Sequence, residues 1–368
     1  MRGLYIHIPF CISKCAYCDF YSLADRSDLI DSYVGAVLNE ARAYAGLSFD
    51  TLYLGGGTPS LLGAEGLGRL LNGLGEMFVL SVAVEATIEV NPESANVDLL
   101  QAAVDFGLNR VSVGVQSLVD GELQGVGRVH SAAQATAAVE RARKLGFAGI
   151  SADVIVGLPG QRWPTLHSTL RSLASLGVHH LSVYCLSLED GTPLATNPPR
   201  DLPSGDEQAD LFEEARCFLE SLGFLHYEIS NFALEGHECL HNLNYWRGGD
   251  YLGLGPAAAS HLDGKRFKNR GDLEAYLSHP AGLVDEIEEL APRDKAAEEA
   301  MLRLRLLSEG LVADDLVGRY GADTTADLLR RLDDMVTEGL LTRDGSTYCL
   351  ARSRVLTSNP IFARVLGL

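Results

Sequence analysis

The first half of this 368-residue chain alternates short apolar segments with amphipathic ones, and this alternation restricts the possible folds most strongly. Successive strand–helix units imply a parallel sheet, because parallel strands need a crossover that a helix supplies. Six units, with apolar residues on both parities of the strands, favour a partial α/β barrel over an open sheet. The predicted strands are residues 4–8, 51–54, 86–90, 110–115, 150–156 and 180–186, and the predicted helices between them are 29–44, 67–74, 99–106, 131–145 and 165–176.

Polar motifs stand at or near the ends of five of these strands. In parallel α/β barrels the functional site lies at the carboxyl ends of the strands, so we expect the five motifs to share one pocket. They are a cysteine loop after the first strand, Gly55-Gly56-Gly57 after the second, Glu89 and Asn91 at the end of the third, Gln116 and Ser117 after the fourth, and Asp153 within the fifth.

The cysteine loop holds Cys11, Cys15 and Cys18, spaced C-x3-C-x2-C. A [4Fe–4S] cubane has four irons, so three thiolates leave one iron free to bind a small molecule. A structural zinc site needs four ligands, and no second cysteine pair is present; His7 is the alternative fourth ligand. A disulfide would leave one cysteine of the three unpaired. The spacing therefore favours a cluster over zinc or plain thiols.

Composition excludes some classes of partner. The formal net charge is −19, from 30 basic and 49 acidic residues, which disfavours nonspecific binding to nucleic acid or anionic membranes. Seven cysteines, only three of them clustered, are typical of a reducing compartment, and no apolar run is long enough to span a membrane. With no signal sequence before Tyr5, we expect a cytoplasmic protein without membrane insertion or a nucleic-acid partner.

The pattern changes after residue 200, and three regions are expected. Residues 1–200 would form the barrel, 201–290 a covering and connecting segment, and 291–368 a mostly helical module. In the second region the pattern predicts a helix at 205–222 and a strand at 227–232, and a glycine-rich stretch follows at 248–255. In the third region the pattern predicts helices at 296–307, 313–320 and 325–338 and a hairpin of residues 340–343 and 347–350. This resembles a winged helix, but its acidic third helix favours a packing or partner-binding role over DNA binding.

Several of the polar residues suit a nucleoside with an amino-acid end. The glycine run lets backbone approach such a ligand, and Glu89 can accept hydrogen bonds from a ribose or an amine. Asp153 would be costly inside an apolar strand without a partner. Arg128, which precedes a predicted helix, can pair with a ligand carboxylate. The alternative role is a tight turn for the glycine run and a structural ion pair for Glu89, Asp153 and Arg128.

Five motifs together resemble one known group of proteins. Cys11, Cys15 and Cys18, with Tyr17 before the last, match the signature of radical S-adenosylmethionine enzymes. The chain is similar to the branch related to oxygen-independent coproporphyrinogen III oxidase, and within it to the HemW-type haem chaperones, over nearly its whole length. The motifs are YIHIPFC at residues 5–11, GGGTPS at 55–60, EVNP at 89–92, VGVQS at 113–117 and GLPGQ at 157–161.

The resemblance implies a partial radical-SAM barrel with a [4Fe–4S] cluster on Cys11, Cys15 and Cys18. It also implies S-adenosylmethionine as a ligand, with one or two sites. The residues implied for that ligand are Tyr5, Phe20, Gly56, Gly57, Thr58, Glu89, Gln116, Arg128 and Asp153.

A further family motif, His-Asn-x-x-Tyr-Trp, begins at His241. The resemblance implies haem as cargo, with His241 as its iron ligand; His237 and Cys239 are rival ligands, and a purely structural role is the alternative. The implied partners are a respiratory haem protein as acceptor and a low-potential electron donor such as flavodoxin or ferredoxin. Whether S-adenosylmethionine is cleaved in the working cycle is left open.

Two departures separate the chain from the oxidase itself. That enzyme carries a further cysteine where this chain has Phe20, and it has a longer segment before the first strand. Decarboxylation of coproporphyrinogen III is therefore the first rival function. A radical methyltransferase or haem-opening enzyme is the second rival, and a DNA-binding iron–sulfur regulator is the third.

Overall fold

The structure is a computed structural model that describes residues 1–280 and 284–368. The strands are β1 (Arg2–Ile8), β2 (Phe10–Cys11), β3 (Leu23–Ala24), β4 (Ser48–Gly56), β5 (Val79–Val90), β6 (Arg110–Gln116), β7 (Gly149–Val156), β8 (His180–Cys185), β9 (Leu225–His226), β10 (Asn231–Ala233), β11 (Asp250–Leu254), β12 (Ala259–Leu262), β13 (Lys265–Asn269), β14 (Val284–Glu288), β15 (Leu311–Val312), β16 (Leu341–Asp344) and β17 (Thr347–Leu350). The α-helices are α1 (Ile30–Ala41), α2 (Gly63–Met77), α3 (Val97–Asp105), α4 (Asp120–Gly125), α5 (Ala132–Lys144), α6 (Trp163–Ser175), α7 (Pro193–Thr196), α8 (Gly205–Ser221), α9 (Leu240–Trp246), α10 (Leu273–Ser278), α11 (Pro292–Leu304), α12 (Ala313–Tyr320), α13 (Ala322–Thr337) and α14 (Ser358–Leu366).

The six predicted strands form one parallel sheet in the order β1-β4-β5-β6-β7-β8. The amphipathic helices α1, α2, α3, α5 and α6 occupy the predicted crossovers. Ser131 begins α5 with a capping box, as its position before the apolar pattern suggests. The expected partial α/β barrel is confirmed. The sheet continues beyond it on both sides, in the order β14-β13-β12-β11 next to β1 and β10-β9 next to β8.

The strands of the barrel alternate between two kinds of side chain, so the expectation of apolar residues on both parities is wrong. One parity is apolar and fully buried under the helices, for example Leu4, Leu54 and Val113. The other parity is largely polar and faces the barrel interior. In register across the sheet, this inner face carries Tyr5, Tyr53, Thr87 and Arg110 in one row and Glu89, Ser112, Ser151 and His180 in another.

The amino-terminal end of the barrel interior is filled by a buried polar network around α9. Glu85 accepts hydrogen bonds from the backbone amides of Leu240 (3.1 Å) and His241 (2.9 Å) at the start of α9. The same carboxylate lies 3.6 Å from the guanidinium of Arg110, and both side chains are only 6% exposed. Because a buried carboxylate needs charged and hydrogen-bonding partners, this network fixes α9 against the sheet.

The connecting region contains α9, α10, β12, β13 and β14, which are absent from its prediction, and it differs from the predicted elements in two places. The predicted strand 227–232 is instead a tight hairpin of β9 and β10, with Tyr227 to Ser230 in its turn. The glycine-rich stretch contains β11, a seventh parallel strand beside β1. Glycine is required there because a Cβ on Gly253 would lie 2.2 Å from the carbonyl oxygen of Ala259. The predicted 201–290 range includes residues 281–283, which lie outside the described residues.

The C-terminal region is mostly helical, as expected. Helices α11, α12 and α13 lie at or near their predicted positions, and β16 and β17 form the predicted hairpin. A third short strand, β15, pairs with β17. The last helix, α14, is absent from the prediction; it packs on α11 and α13 through Ile361, Phe362 and Val365.

Replacing Glu85 with alanine should destabilise the protein strongly. The change removes the acceptor for the α9 amides and leaves Arg110 buried without its anion, which we expect to lower the free energy of unfolding by about 3 kcal/mol or more. Urea denaturation measures this loss. The control is Glu76→Ala on the exposed surface of α2, which should change stability by less than about 0.5 kcal/mol. Equal effects of the two changes would contradict the network.

Candidate functional site

A cavity of about 370 Å³ opens at the carboxyl ends of the barrel strands, and we call it the cysteine cavity. All five predicted motifs contribute to its walls. Its lining includes Cys11, Cys15, Cys18, Phe20, Gly56, Gly57, Thr58, Glu89, Gln116, Arg128 and Asp153. The structure thus brings together every predicted nucleoside and cluster residue except Tyr5.

The cysteine loop leaves the barrel after β1 and is fixed by neighbouring polar groups. Thr58 Oγ1 donates a hydrogen bond to Cys11 Sγ (3.6 Å), and Arg128 Nη1 donates one to Cys15 Sγ (3.4 Å). The Cys18 amide donates to the Cys15 carbonyl oxygen (3.2 Å). Burial raises the pKa of the Cys18 thiol, and the charges of Cys15 and Cys11 raise it further.

The three cysteines of the loop line one cavity. Across residues 1–280 and 284–368, no three His, Cys, Asp or Glu side chains are grouped to hold a single metal ion. A cubane offers a separate iron to each thiolate, so its ligands need a common face and not a common point. Cys185, at the end of β8, lines the same cavity, but its pKa is raised to about 11 by burial alone, without a contribution from the triplet.

Two glycines of the second motif permit close packing at the cavity wall. Gly56 has a φ of +107°, a conformation that side chains rarely adopt. Gly57 donates its amide hydrogen to the Ile8 carbonyl oxygen (2.8 Å), and a Cβ on Gly57 would lie 2.6 Å from the Phe10 carbonyl oxygen. The loop therefore presents backbone rather than side chains to the cavity.

Two carboxylates lie on the inner face beside this loop. Glu89 accepts hydrogen bonds from the Tyr53 hydroxyl (2.7 Å) and the Gly56 amide (3.2 Å). Asp153 accepts one from the Ser112 hydroxyl (3.1 Å). Burial raises the pKa of Glu89 to about 7, and the negative charge of Asp153 adds to the rise. Burial likewise raises the pKa of Asp153 to about 6. Both groups suit hydrogen bonding to hydroxyl or ammonium groups of a ligand.

Arg128 connects the cysteine loop to the sheet. Besides its bond to Cys15, its Nη2 donates to Asn91 Oδ1 (2.8 Å) and to the Gly114 carbonyl oxygen (2.7 Å). Its Nε is buried and has no partner within the described part of the chain. A buried donor without a partner is costly, so this atom favours a ligand acceptor at the site. Gln116 nearby has a φ of +64°, a strained conformation of the kind found at functional sites.

A second cavity of about 840 Å³ adjoins the first, and we call it the side cavity. The two cavities share Asp19, Phe20, Gly56 and Glu89. Tyr5 lines the side cavity, where its hydroxyl lies 3.0 Å from His7 Nδ1. Phe20 is 63% exposed at the boundary of both cavities.

The His-Asn-x-x-Tyr-Trp motif lies on α9, between the buried network and the side cavity. His241 is 1% exposed, and both its ring nitrogens are engaged: Nδ1 with Thr51 Oγ1 (2.8 Å) and Nε2 with the Tyr245 hydroxyl (2.8 Å). Burial lowers its pKa to about 3. This arrangement does not favour iron ligation by His241, because ligation would break one of the two hydrogen bonds that hold the imidazole ring. Tyr245 and Trp246, in contrast, line the side cavity.

The rival ligands lie elsewhere. His237 stacks on His179 at 4.3 Å, next to the starts of β7 and β8. Cys239 is buried, with its Sγ 3.4 Å from Glu85 Oε1. Neither residue lines the side cavity.

Several cavity residues were missing from the predicted pocket. Tyr17, Tyr184 and Cys185 line the cysteine cavity, together with the predicted Asn91. Tyr184 and Cys185 end β8, so the rule that placed the other motifs also applies to them.

The partial barrel and its cysteine loop define a class of protein. The sequence matches the radical SAM superfamily over residues 5–173. The solved structure of coproporphyrinogen III oxidase (HemN) from Escherichia coli superimposes with a TM-score of 0.86, covering 100% of this chain and 89% of that one. The two are 24% identical, so this likeness shows the shared fold alone.

Curated relatives identify the family more narrowly. The chain is 33% identical to the heme chaperone HemW of Lactococcus lactis, over 99% of this chain and 97% of that protein. It is 32% identical to HemW of Bacillus subtilis over the whole of both chains, and 36% identical to HemW of Escherichia coli over 92% of this chain and 91% of that protein. The chain therefore belongs to the HemW family within the radical SAM superfamily.

The raised pKa of Glu89 predicts a pH dependence of stability. A carboxyl with a folded pKa of about 7 and an ordinary value of 4.5 contributes stability below pH 4.5, which is lost as the pH rises through 7. Between pH 6 and 8 this contribution falls by about 1 kcal/mol. In Glu89→Gln we expect that part of the decline to disappear, as measured by urea denaturation at both values. The exposed Glu65→Gln should keep the wild-type decline; an unchanged decline in Glu89→Gln would contradict the assignment.

Proposed function

We propose that this protein is an iron–sulfur, S-adenosylmethionine-binding haem chaperone that takes up haem and passes it to a respiratory haem protein. Membership of the HemW family supports this proposal, since the curated relatives carry the name heme chaperone over the full length of the chain. The observation that carries it is the cysteine cavity, in which three thiolates, a glycine loop, two carboxylates and an arginine face one space.

The residues of the cavity fit both cofactors. Cys11, Cys15 and Cys18 would hold a [4Fe–4S] cluster through three irons, and the Arg128 hydrogen bond to Cys15 would stabilise its negative charge. The fourth iron would accept the amino and carboxylate groups of S-adenosylmethionine. The partnerless Nε of Arg128 and the backbone of Gly56 and Gly57, which line the cavity, would receive that end of the ligand.

Glu89 and Asp153 would bind the rest of the nucleoside. Glu89 already accepts two protein hydrogen bonds, so its oxygens are held in place before the ligand arrives. When bound, a reduced cluster of this kind can transfer an electron to S-adenosylmethionine and break its S–C5′ bond. The protein's own part is to orient the ligand and to exclude water and oxygen.

The remaining expectations complete the proposal. We propose a low-potential donor such as flavodoxin or ferredoxin, a cytoplasmic location, and the three regions 1–200, 201–290 and 291–368. Of the helices that the structure describes, none combines the length and the apolar character that crossing a bilayer requires.

Haem transfer is the direct test of the function. The anaerobically reconstituted protein should bind haem with a shifted Soret band, and it should restore the haem spectrum of a haem-free respiratory protein on mixing. A parallel incubation with coproporphyrinogen III, S-adenosylmethionine and reductant should yield no protoporphyrinogen. Formation of protoporphyrinogen without haem transfer would favour the oxidase and overturn the proposal.

The cluster assignment is tested by single cysteine changes. Cys15→Ala should lose most of the iron, sulfide and visible absorption after reconstitution, because two thiolates cannot hold a cubane securely. Cys185→Ala is the matched control: it lines the same cavity and should retain the wild-type cluster content. A full complement of iron and sulfide in Cys15→Ala would refute the ligand assignment.

A further inference from the structure

The side cavity lies between the sheet and the C-terminal helices. One wall is the inner face of the sheet where it extends beyond the barrel, with Tyr251, His261 and Arg266 in one row across β11, β12 and β13. The opposite wall is α11, whose Lys295 lies over the β12–β13 turn: a Cβ on Gly264 would be 3.1 Å from Lys295 Nζ. At about 840 Å³ the space is within the range of about 300–1,000 Å³ that is usual for ligand sites.

The cavity has an aromatic floor. Tyr245 and Trp246 reach it from α9, and Tyr251 packs edge-on against Tyr245 with ring centroids 4.5 Å apart. His241 holds the Tyr245 hydroxyl, so the family motif positions this surface. Flat aromatic rings at the base of a large cavity suit a flat, unsaturated ligand.

Two lysines of the cavity have no ion-pair partner among the described residues. Of the carboxylates in its lining, Glu298 pairs with Arg266 and Glu299 pairs with Arg319 (2.5 Å), and Asp19 and Glu89 lie at the boundary with the cysteine cavity. Lys268 and Lys295 make no ion pair with any side chain that the structure describes, and both line the cavity. Two free ammonium groups in a protein of net charge −19 favour an anionic ligand with two separate acidic groups.

The cavity also offers one imidazole with a free nitrogen. Two histidines, His7 and His261, belong to its lining. Both ring nitrogens of His7 are bonded, Nδ1 to the Tyr5 hydroxyl and Nε2 to the Tyr21 carbonyl oxygen (2.8 Å). His261 Nδ1 lies 3.4 Å from the Gly249 carbonyl oxygen, which can only accept, so Nδ1 carries the proton. Its Nε2 has no partner within the described residues and is not buried.

We propose that haem binds in the side cavity, with His261 Nε2 as an axial ligand of the iron and Lys268 and Lys295 holding the two propionates. This inference rests on the proposed function, because it takes haem as the cargo. The proposed iron ligand is therefore His261 and not His241, the ligand expected from the sequence. His241 instead holds the aromatic residues at the base of the cavity in position. The shared boundary at Phe20, Gly56 and Glu89 places the cargo next to the cysteine cavity.

The first arm of the test addresses the iron ligand. Ferric haem is titrated into the full-length protein and into His261→Ala, His261→Gln and His279→Ala, with the Soret band as readout and circular dichroism as the check of folding. His279 is exposed and outside the cavity, so that variant should bind like wild type. We expect both His261 variants to bind about tenfold or more weakly and to lose the spectrum of histidine-ligated iron.

The second arm addresses the propionates. We expect the double variant Lys268→Ala/Lys295→Ala to bind haem about tenfold or more weakly than wild type. Wild type should show a similar loss for the dimethyl ester of haem, in which both propionates are uncharged. The double variant should not distinguish haem from its ester. Lys265→Ala, on the same strand but outside the cavity lining, is the matched control and should bind normally.

The outcomes separate the inference from the proposed function. If wild type binds no haem, the proposed function fails and this inference fails with it. If wild type binds haem but folded His261 variants keep its affinity and spectrum, the ligand assignment is overturned while the function stands. Equal affinity of wild type for haem and its dimethyl ester would overturn the lysine assignment.

Discussion

The polar inner face of the parallel sheet is the constraint on which the rest of the structure depends. Burying carboxylates, imidazoles and hydroxyls inside a barrel is costly unless each finds a partner. At the amino-terminal end Glu85, Arg110 and the start of α9 supply most of those partners, although Thr87 Oγ1 and Arg110 Nη2 have none among the described residues. At the carboxyl end the buried Nε of Arg128 also has none. The two ends differ in space, because α9 fills the amino-terminal end whereas the carboxyl end opens into the cysteine cavity.

The two cavities follow from how the sheet is extended. The six barrel strands enclose the cysteine cavity, and β11, β12 and β13 continue the sheet past β1 and form a wall of the side cavity. The C-terminal helices close that wall, so a region that resembles a DNA-binding module serves here to complete a pocket. The shared residues Phe20, Gly56 and Glu89 connect a proposed nucleoside site to a proposed tetrapyrrole site.

Much of the barrel could be predicted from the sequence, because strand and helix periodicities are local properties. Because the polar motifs stand at the ends of the predicted strands, most of the lining of the cysteine cavity could be predicted as well. What could not be predicted depends on contacts between distant segments. The sequence around Gly253 indicates only a glycine-rich stretch, yet it pairs with β1 as a strand. His241 reads as a ligand because imidazole binds iron, but Thr51, 190 residues away, and Tyr245 occupy its nitrogens. His261 has no motif around it, and only the folded sheet shows it beside the lysines.

The central claim is that three protein thiolates leave one iron of a [4Fe–4S] cubane free to bind the amino-acid end of S-adenosylmethionine. Mössbauer spectroscopy on protein reconstituted anaerobically with ⁵⁷Fe, before and after addition of S-adenosylmethionine, measures this directly. The account predicts that one iron site of the cluster changes its parameters on addition while the other three keep theirs. A spectrum that does not respond to S-adenosylmethionine, or one in which all four irons already have protein ligands, would contradict it.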